Sequence, residues 1–420
     1  MSEVFKKNFQ YYKFCLYGFF KNLRFFEAFL LIFLLNNGLS YLDIGFLYTI
    51  REVVKAVMEI PSGFIADAFG RRKVLVSSFL FYIISFLIFG IFDSFLPFSI
   101  AMFFFAVGDA FRTGVHKAMI FAYLKRNNWE DQKVDYYGHT RSWSQAGSAL
   151  SAAIGAIIVF YTDAYHTIFL MAIFPYLIDA VLIWSYPKYL DGETVKLKKE
   201  KIISAFKDVI KAFKLSIMKL ELLEPLVSLS LYTGFYKSVK DYVQPILKML
   251  ALSTPVFAYL NDDKKTAVLI GIFYFITFLL TSVASKNSKR FNEIFKNASK
   301  AMNISILIGF LSGVIIGLSF IGEFYLASVI GFIFILIIEN IRKPIGVSML
   351  ANKTEDDAMA TILSVESQAK SIFAAILAPI LGFLADKFTP GISLLVVSTL
   401  LILIEFGFIL RQKKKQPQNK

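Results

Sequence analysis

The sequence has little of what a soluble enzyme of its size needs. Only 18% of its 420 residues are charged and 56% are hydrophobic, so too few charges are present to cover a soluble surface. Its one cysteine, Cys15, excludes an internal disulfide, and its three histidines are widely spaced. The sequence motifs of zinc proteases, serine hydrolases and phosphate-binding loops are absent. We therefore expect no enzyme activity, no metal site and no cofactor.

The apolar residues are grouped into runs of about 20, the length at which a helix crosses the hydrocarbon core of a bilayer. This grouping predicts an all-α integral membrane protein of about twelve transmembrane helices. The predicted spans are residues 16–37, 42–66, 74–93, 96–120, 140–161, 166–186, 222–246, 265–284, 302–320, 324–343, 359–385 and 390–410. The first of them lacks the pattern of a cleaved signal peptide, so we expect it to remain in the protein.

Positive charge alternates along the predicted loops. Lys and Arg are concentrated in every second loop, at residues 71–73, 125–126, 196–219, 286–300 and 411–415. The positive-inside rule then places both termini in the cytoplasm, with the basic loops facing anionic lipid. We expect the protein to lie in a plasma membrane, the inner membrane of a bacterial cell. Since the membrane accounts for the net charge of +14, no nucleic-acid partner is expected.

The longest polar interruption, residues 188–219, divides the spans into six and six. This predicts two six-helix bundles, residues 1–187 and 220–420, with a cytoplasmic linker between them. Apolar residues such as Phe206 and Ile210 recur among the lysines of the linker. That pattern favours an amphipathic helix on the membrane surface, and a solvated linker is the alternative.

A short charged turn separates the second and third spans. Residues 63–72 read Gly-Phe-Ile-Ala-Asp-Ala-Phe-Gly-Arg-Arg. This string resembles the signature of the major facilitator superfamily, in which Gly, three residues, Asp, two residues, Gly and Arg-Arg/Lys follow one another. The resemblance covers nearly the whole chain and implies two pseudo-symmetric six-helix bundles. The preceding Glu-Ile-Pro-Ser, residues 59–62, is similar to drug-exporter-like members of that family.

The residues of this turn also have physical roles that do not depend on the family resemblance. Gly63 lets two helices approach closely, and Gly70 can adopt the positive φ at which a helix ends. Arg71 and Arg72 face anionic lipid. Asp67 either pairs locally or acts as a latch. The resemblance implies the latch, against the cytoplasmic end of the eleventh helix, in the outward-facing state.

Charged residues inside a span are costly in lipid and mark a protein interior or a water-filled pathway. Most of them occur here in sets of mixed sign on one helical face, three or four residues apart. The sets are Arg24 and Glu27; Arg51, Lys55 and Glu59; Asp109, Arg112 and His116; Lys237 and Asp241; Glu339, Arg342 and Lys343; Glu366 and Lys370. Each set either neutralises itself or contributes to a cavity. The resemblance implies a central cavity lined mainly by helices 1, 4, 7 and 10.

Two carboxyl groups, Glu27 and Asp109, lie near the middle of their spans. We predict that one of them carries a coupling proton, because a neutral carboxyl group enters a low-dielectric region more easily than an anion. The candidates for substrate contacts are Arg24, Arg112, Tyr176, Asp179, Tyr232, Tyr236, Lys237, Asp241, Glu366 and Lys370.

Together these features predict a secondary active transporter whose two halves alternate access to a midplane site. The exporter-like turn favours proton-coupled efflux, by antiport, of a small organic solute from a monomeric protein. The many intramembrane cations favour, as an alternative, uptake or export of an anionic or zwitterionic metabolite. A receptor or sensor with the same fold is a third hypothesis, and the density of intramembrane charge argues against it.

Overall fold

The computed structural model describes residues 7–192, 199–218, 220–255, 259–295, 297–352 and 356–415. All regular secondary structure within these ranges is helical. The all-α fold that the length of the apolar runs predicts is therefore confirmed.

The α-helices follow one another with short connections. They are α1 Phe9–Phe20, α2 Leu30–Asn36, α3 Tyr41–Phe69, α4 Arg71–Ile91, α5 Phe95–Arg112, α6 Val115–Arg126, α7 Lys133–Thr162, α8 His166–Trp184, α9 Lys199–Met218, α10 Leu220–Val239, α11 Val243–Ser253, α12 Asp262–Lys286, α13 Ser288–Phe295, α14 Ala298–Ile321, α15 Tyr325–Asn352, α16 Asp356–Lys387 and α17 Pro390–Lys415. Short 3-10 helices are Glu130–Gln132, Lys188–Asp191 and Lys240–Tyr242. Most of the linker predicted at residues 188–219 is occupied by α9.

Within the described ranges, 9 helical segments are long and apolar enough to cross a membrane. They correspond to nine of the twelve predicted spans, with α5 and α6 counted as one. The second predicted span is α3, a single helix of 29 residues that carries several charges. The first and seventh spans are each divided between two helices, α1 with α2 and α10 with α11.

Three predicted spans are interrupted. Turns at residues 21–29 separate α1 from α2, Thr113 and Gly114 separate α5 from α6, and the 3-10 helix Lys240–Tyr242 separates α10 from α11. Gly114 has φ 82°, a conformation that glycine adopts without strain. Irregular backbone at membrane depth persists only where neighbouring groups satisfy its hydrogen bonds, and in transporters it often lies at the binding site.

The interrupted first span is held closely by α7. A Cβ atom on Gly147 would clash with the carbonyl oxygen of Phe19, and one on Gly155 would lie 2.5 Å from the carbonyl oxygen of Phe25. Only glycine leaves room for this approach, as small residues do generally where membrane helices meet. This packing fixes the backbone at Phe19, just before the break, and at Phe25, within it.

The Cα positions form two compact units. The first comprises Met1–Phe33, Ile50–Phe206 and Tyr259–Phe278, and in it α4 packs against α5 and α8. The second comprises Leu34–Thr49, Lys207–Ala258 and Leu279–Lys420, and in it α14 packs against α15 and α17, and α10 against α16.

The second unit contains a helix cap formed across the sequence. The carboxylate of Asp386, near the end of α16, accepts hydrogen bonds from the backbone N–H groups of Tyr41 and Leu42, both at 2.8 Å. These are among the first N–H groups of α3, which have no partner within their own helix. A negative charge at this end also interacts favourably with the helix dipole.

Candidate functional site

Asp109 lies at the centre of a buried group of charges in the first unit. The residue is 8% exposed. Its Oδ1 atom accepts hydrogen bonds from Arg24 at 3.2 Å and Arg112 at 3.0 Å, and Lys55 Nζ lies 3.8 Å from Oδ2. The hydroxyl group of Tyr82 also donates to Oδ1. We refer to Arg24, Lys55, Arg112 and Asp109 as the cation cluster.

The members of the cation cluster come from three parts of the chain. Arg24 is in the break between α1 and α2, Lys55 is on α3, and Asp109 and Arg112 are in the last turn of α5. Gly108 allows α5 to approach α4, because a Cβ atom there would lie 3.0 Å from the carbonyl oxygen of Ser78. The close approach explains how a tyrosine on α4 reaches the carboxylate.

Arg24 is oriented by hydrogen bonds at the break. Its Nε atom donates to the hydroxyl group of Tyr176 at 2.8 Å, and that hydroxyl group donates to the carbonyl oxygen of Lys21 at 2.9 Å. The side chain of Asn22 donates to the carbonyl oxygen of Ser144 at 2.6 Å. The bond from Tyr176 supplies a partner for the carbonyl group of Lys21 at the start of the break, and the bond from Asn22 attaches the break to α7. Tyr176, a predicted substrate contact, thus links α8 to the break.

The charges of the cation cluster do not balance. Three cations share one carboxylate, and the amino group of Lys21 lies close enough to interact with Arg24 and Arg112. Glu27 interacts with Arg24 but is itself exposed, unlike its neighbours along the chain. Uncompensated charge is costly away from bulk water. The arrangement therefore favours binding of an anionic group, and two guanidinium groups offer the planar forks that suit a carboxylate or a phosphate.

The second unit holds a buried charged pair whose charges do balance. Arg342 is 0% exposed and lies 2.7 Å from the carboxylate of Glu339 on the same helix, α15. Its guanidinium group also donates to Thr233 and to the carbonyl oxygen of Leu229, and its Cζ atom lies 4.5 Å from the centre of the Tyr232 ring. Tyr232, another predicted substrate contact, therefore packs against an ion pair.

The remaining predicted contacts of the second unit form separate local groups. Glu366 and Lys370 on α16 are an ion pair at 3.1 Å, as their spacing of four predicts. Lys237 Nζ donates to Ser371 at 3.5 Å, and Tyr236 beside it is half-buried.

The observed position of Asp241 differs from the position that its spacing from Lys237 predicts. It accepts a hydrogen bond from Tyr48 at 2.9 Å and lies 3.7 Å from Lys240 Nζ. The sequence places Asp241 four residues after Lys237, on one face of a continuous helix. That placement is wrong, because the 3-10 helix Lys240–Tyr242 interrupts the α-helical spacing.

The predicted stripe from Asp109 through Arg112 to His116 is interrupted as well. The helix α5 ends at Arg112, and His116 belongs to α6, beyond the positive φ of Gly114. The imidazole ring stacks on Tyr17 with ring centres 3.6 Å apart. Its Nε2 atom is hydrogen-bonded to the hydroxyl group of Tyr186 at 3.2 Å. His116 is thus a buried packing residue beside the cluster.

The charged turn between α3 and α4 docks onto the segment after α8. Gly70 has φ 94°, as a helix-ending glycine does, and Arg72 binds Asp191 through its guanidinium group at 2.8 Å and through its backbone N–H group at 2.9 Å. Asp67 pairs with Arg71 at 3.6 Å. The predicted latch partner of Asp67, residues 354–357, lies outside the residues whose side chains are described, so the latch stays a prediction.

The close helix approach predicted at Gly63 is not seen. A Cβ atom on Gly63 would meet nothing within 4 Å in the described part of the chain. Its exposed position on α3 leaves room for a side chain.

Three residues of these groups are not singled out by the sequence: Lys21, Tyr82 and the buried Glu405 on α17. The spacing of Lys55 is compatible with a pair on its own helix or with a cavity, and it does not indicate Asp109 as a partner. The one signal for Tyr82 is its place between Phe79 and Phe86, as the only polar ring of that aromatic stripe. Glu405 accepts a hydrogen bond from Ser228 at 3.0 Å.

Comparison with known proteins agrees with the fold. The chain is 20% identical over 375 residues to an uncharacterized MFS-type transporter, YxaM of Bacillus subtilis (strain 168), with 89% of this chain and 88% of that protein aligned. Similar solved structures include a mutant of the nucleoside transporter NupG (TM-score 0.73, 13% identity, 95% of this chain and 97% of that one). A D-xylose-proton symporter is also similar (TM-score 0.68, 15% identity, 95% of each chain).

The family description "Major Facilitator Superfamily" matches residues 14–365 of this sequence. That range is well over half of the chain, and it includes the charged turn and the whole cation cluster. The relative and the two solved neighbours described above are named as transporters or a symporter. The chain therefore belongs to the Major Facilitator Superfamily, as a multi-pass membrane transporter and not an enzyme.

Proposed function

We propose that this transporter carries a small organic anion, or the anionic group of a zwitterion, by secondary active transport. The observation that carries the proposal is the convergence of Arg24, Lys55 and Arg112 on the single carboxylate of Asp109. A solute with a carboxylate or phosphate group would compensate the excess positive charge that Asp109 leaves. Because these cations come from separate elements, a bound anion would also hold those elements together.

The transport cycle is proposed to alternate access between two six-helix halves, residues 1–187 and 220–420, with residues 188–219 as the cytoplasmic linker. The breaks at residues 21–29 and 113–114 adjoin the cation cluster, so a rearrangement there would change its geometry. The protein acts as a monomer in the plasma membrane, the inner membrane of a bacterium, with both termini in the cytoplasm. Tyr236, Lys237, Asp241, Glu366 and Lys370 remain proposed substrate contacts.

Protons are the proposed coupling ion, with Glu27 and Asp109 as candidate carriers. Glu27 is exposed and interacts with Arg24, so a proton or a substrate anion that reaches one of them affects the other. One solved neighbour is named as a D-xylose-proton symporter, which supports proton coupling on this fold.

Efflux of an organic solute by antiport with protons is the second candidate function. The observation that favours it is the likeness of residues 59–72 to drug-exporter-like members of the family. An exporter of apolar compounds would leave the positive charge of the cation cluster unmatched by its substrate, and for that reason we place this candidate second.

A thermal-stability screen of the purified protein distinguishes the two. The panel contains small mono- and dicarboxylates and sugar phosphates, with neutral sugars and quaternary ammonium dyes of similar size. A ligand at about 100 times its dissociation constant stabilises the folded state by about 2.7 kcal/mol. We expect the melting temperature to rise with at least one anion, and this rise to disappear in Arg24→Gln.

The matched control is Lys289→Gln, which removes a lysine whose side chain is 89% exposed. It should leave the response to the anion unchanged. Stabilisation by the dyes alone, equal in the wild type and in Arg24→Gln, would overturn the proposal in favour of drug efflux.

A further inference from the structure

Asp179 on α8 is a fully buried carboxyl group that the proposed anion site does not use. It is 0% exposed, and neither of its carboxyl oxygens has a hydrogen-bond partner among the residues that the structure describes. An ionised carboxylate in such surroundings is costly, since it is shielded from bulk solvent and no hydrogen-bond donor among the described residues compensates its charge. A protonated carboxyl group does not carry that cost. The geometry therefore favours the neutral acid in this conformation.

Two cations lie close enough to interact with Asp179 but are directed elsewhere. Arg112 donates to Asp109 and to Tyr82, both at 3.0 Å. Lys21 Nζ lies 5.3 Å from the centre of the Tyr17 ring. Arg112 is thus already paired with a carboxylate, which leaves Lys21 as the cation that is expected to approach Asp179.

The surroundings of Asp179 contain several other titratable or charged groups. They are Tyr17 on α1, Tyr82 on α4, Tyr176 on α8 itself, Tyr186 after α8, His116 on α6, which stacks on Tyr17, and Arg141 on α7, which interacts with Lys21. A second carboxylate, Asp109, accepts hydrogen bonds from both Arg112 and Tyr82, so it already shares one of the two cations. Lys21 is therefore the cation left to compensate a change in the charge of Asp179.

Both cations lie at the ends of helix breaks. Lys21 is the C-terminal cap of α1, directly before the turns at residues 22–29. Arg112 is the last residue of α5, directly before Thr113 and Gly114. Rotation of the backbone at either break would move a cation relative to Asp179 while α8 stays in place. The carboxyl group is thus positioned to respond to the state of the breaks.

We infer that Asp179 is a proton-binding site that exchanges its proton for the ammonium group of Lys21 when the break in the first span rearranges. In this conformation the carboxyl group holds the proton. As the ammonium group approaches, the O–H bond of the carboxyl group breaks and the proton passes to water. The resulting carboxylate pairs with the Lys21 cation, so the net charge of the two side chains falls from +1 to 0 as the proton leaves. The inference rests on the proposed proton coupling and adds a carrier to it.

The test is infrared spectroscopy of the full-length protein in lipid bilayers, titrated from acidic to alkaline pH. A protonated carboxyl group in apolar surroundings has its own C=O stretching band. We expect this band at neutral pH in the wild type, shifted by isotope-labelled aspartate and lost in Asp179→Asn. In Lys21→Met the band should persist to higher pH, because the cation that replaces the proton is missing.

Two controls separate Asp179 from other carboxyl groups. Asp163→Asn, which alters a carboxylate whose side chain is 45% exposed, should leave the band unchanged. Any contribution of the buried Glu405 does not shift with labelled aspartate. If no labelled band appears, or if Asp179→Asn retains it, the inference is overturned. The first of these outcomes is decided in the wild type even if a variant fails to fold, and the second separates Asp179 from the buried Asp241.

Failure of this inference and failure of the proposed function have different signatures. The spectra need no substrate, so a missing aspartate band removes the Asp179 site and leaves the anion site untouched. A band that titrates normally in a protein that no anion stabilises would retain the Asp179 site and remove the anion proposal.

Discussion

The cation cluster around Asp109 and the pair of Arg342 with Glu339 both hold charge inside a membrane protein, but their charge balance differs. Arg342 has one carboxylate, a hydroxyl group and a backbone carbonyl as acceptors, and it is 0% exposed. In the cation cluster three positive side chains, 14–24% exposed, share one carboxylate. The charges of the enclosed pair balance without a ligand, although Nη1 of Arg342 has no hydrogen-bond partner among the described residues. The charges of the partly accessible cation cluster do not balance.

The two groups also differ in the backbone that carries them: one lies on a single helix and the other beside two helix breaks. Glu339 and Arg342 lie on one helix, α15, which has 28 residues and continues through Pro344. The cation cluster adjoins two helix breaks, and one of its members, Arg24, lies within a break. Residues three apart on one helix keep their spacing, whereas a break allows the groups on its two sides to move relative to each other. The comparison indicates that one group stabilises its unit and that the other is suited to bind and respond.

The largest effect is expected from breaking the balanced pair. Arg342→Met leaves Glu339 as a buried carboxylate without its cation, and loss of one partner of such a pair destabilises a protein by about 3–5 kcal/mol. The free energy of unfolding, measured in detergent by denaturant titration, should fall by this amount.

The double variant Arg342→Met/Glu339→Gln provides the control, because it removes both charges together. Most of the lost stability should return. If the single variant unfolds at the same denaturant concentration as the wild type, the pair has no structural role and the comparison fails on this side.

A smaller loss of stability is expected from the matched change in the cation cluster. Asp109→Asn removes the carboxylate that three cations share, but these side chains are accessible enough for water to compensate part of their charge. We expect a loss of about 1–3 kcal/mol, the cost of leaving polar groups unsatisfied. Since more positive charge is then unmatched, the anion selected in the stability screen should stabilise Asp109→Asn more than it stabilises the wild type.

The corresponding variant of the second unit is Glu339→Gln, in which Arg342 loses its carboxylate. Because Arg342 is enclosed, no anion of the panel should restore its stability. In proteoliposomes, Asp109→Asn should also lose accumulation driven by a pH gradient while it retains some downhill exchange. Equal rescue of both variants by an anion would contradict the distinction between the two groups.

The fold could be predicted because the length and spacing of apolar runs depend on the bilayer alone. The break at residues 21–29 could not, since this segment contains neither glycine nor proline. Its irregular backbone depends on Tyr176, Asn22 and the glycines of α7, which are distant in sequence. Gly114 did provide a signal for the break in the fourth span, which the prediction of one helix over residues 96–120 did not use.

The site was predictable only as far as one helix determines it. The spacing of three between Glu339 and Arg342 correctly predicts their pair, as does the spacing of four between Glu366 and Lys370. Lys55 has suitable partners on its own helix by the same rule, yet it lies closest to Asp109 of α5. Pairing between helices depends on how the helices rotate and pack, and charge spacing within one helix does not contain that information.

The smallest effect is expected outside both groups, at Asp163 in the connection between α7 and α8. Its carboxylate lies 3.1 Å from Lys264 and accepts a hydrogen bond from Asn261 at 3.3 Å, and these hydrogen bonds, led by that of Lys264, hold the pKa of Asp163 below its usual value. A carboxyl group with a depressed pKa stabilises the folded state at neutral pH, and this contribution is lost as the pH falls through its folded-state pKa. Because exposed ion pairs contribute little, Asp163→Asn should lower the melting temperature only slightly, less at acidic than at neutral pH, and high salt should remove the difference from the wild type. A loss as large as that of Asp109→Asn would show that burial and charge balance do not separate the functional cluster from ordinary surface charge.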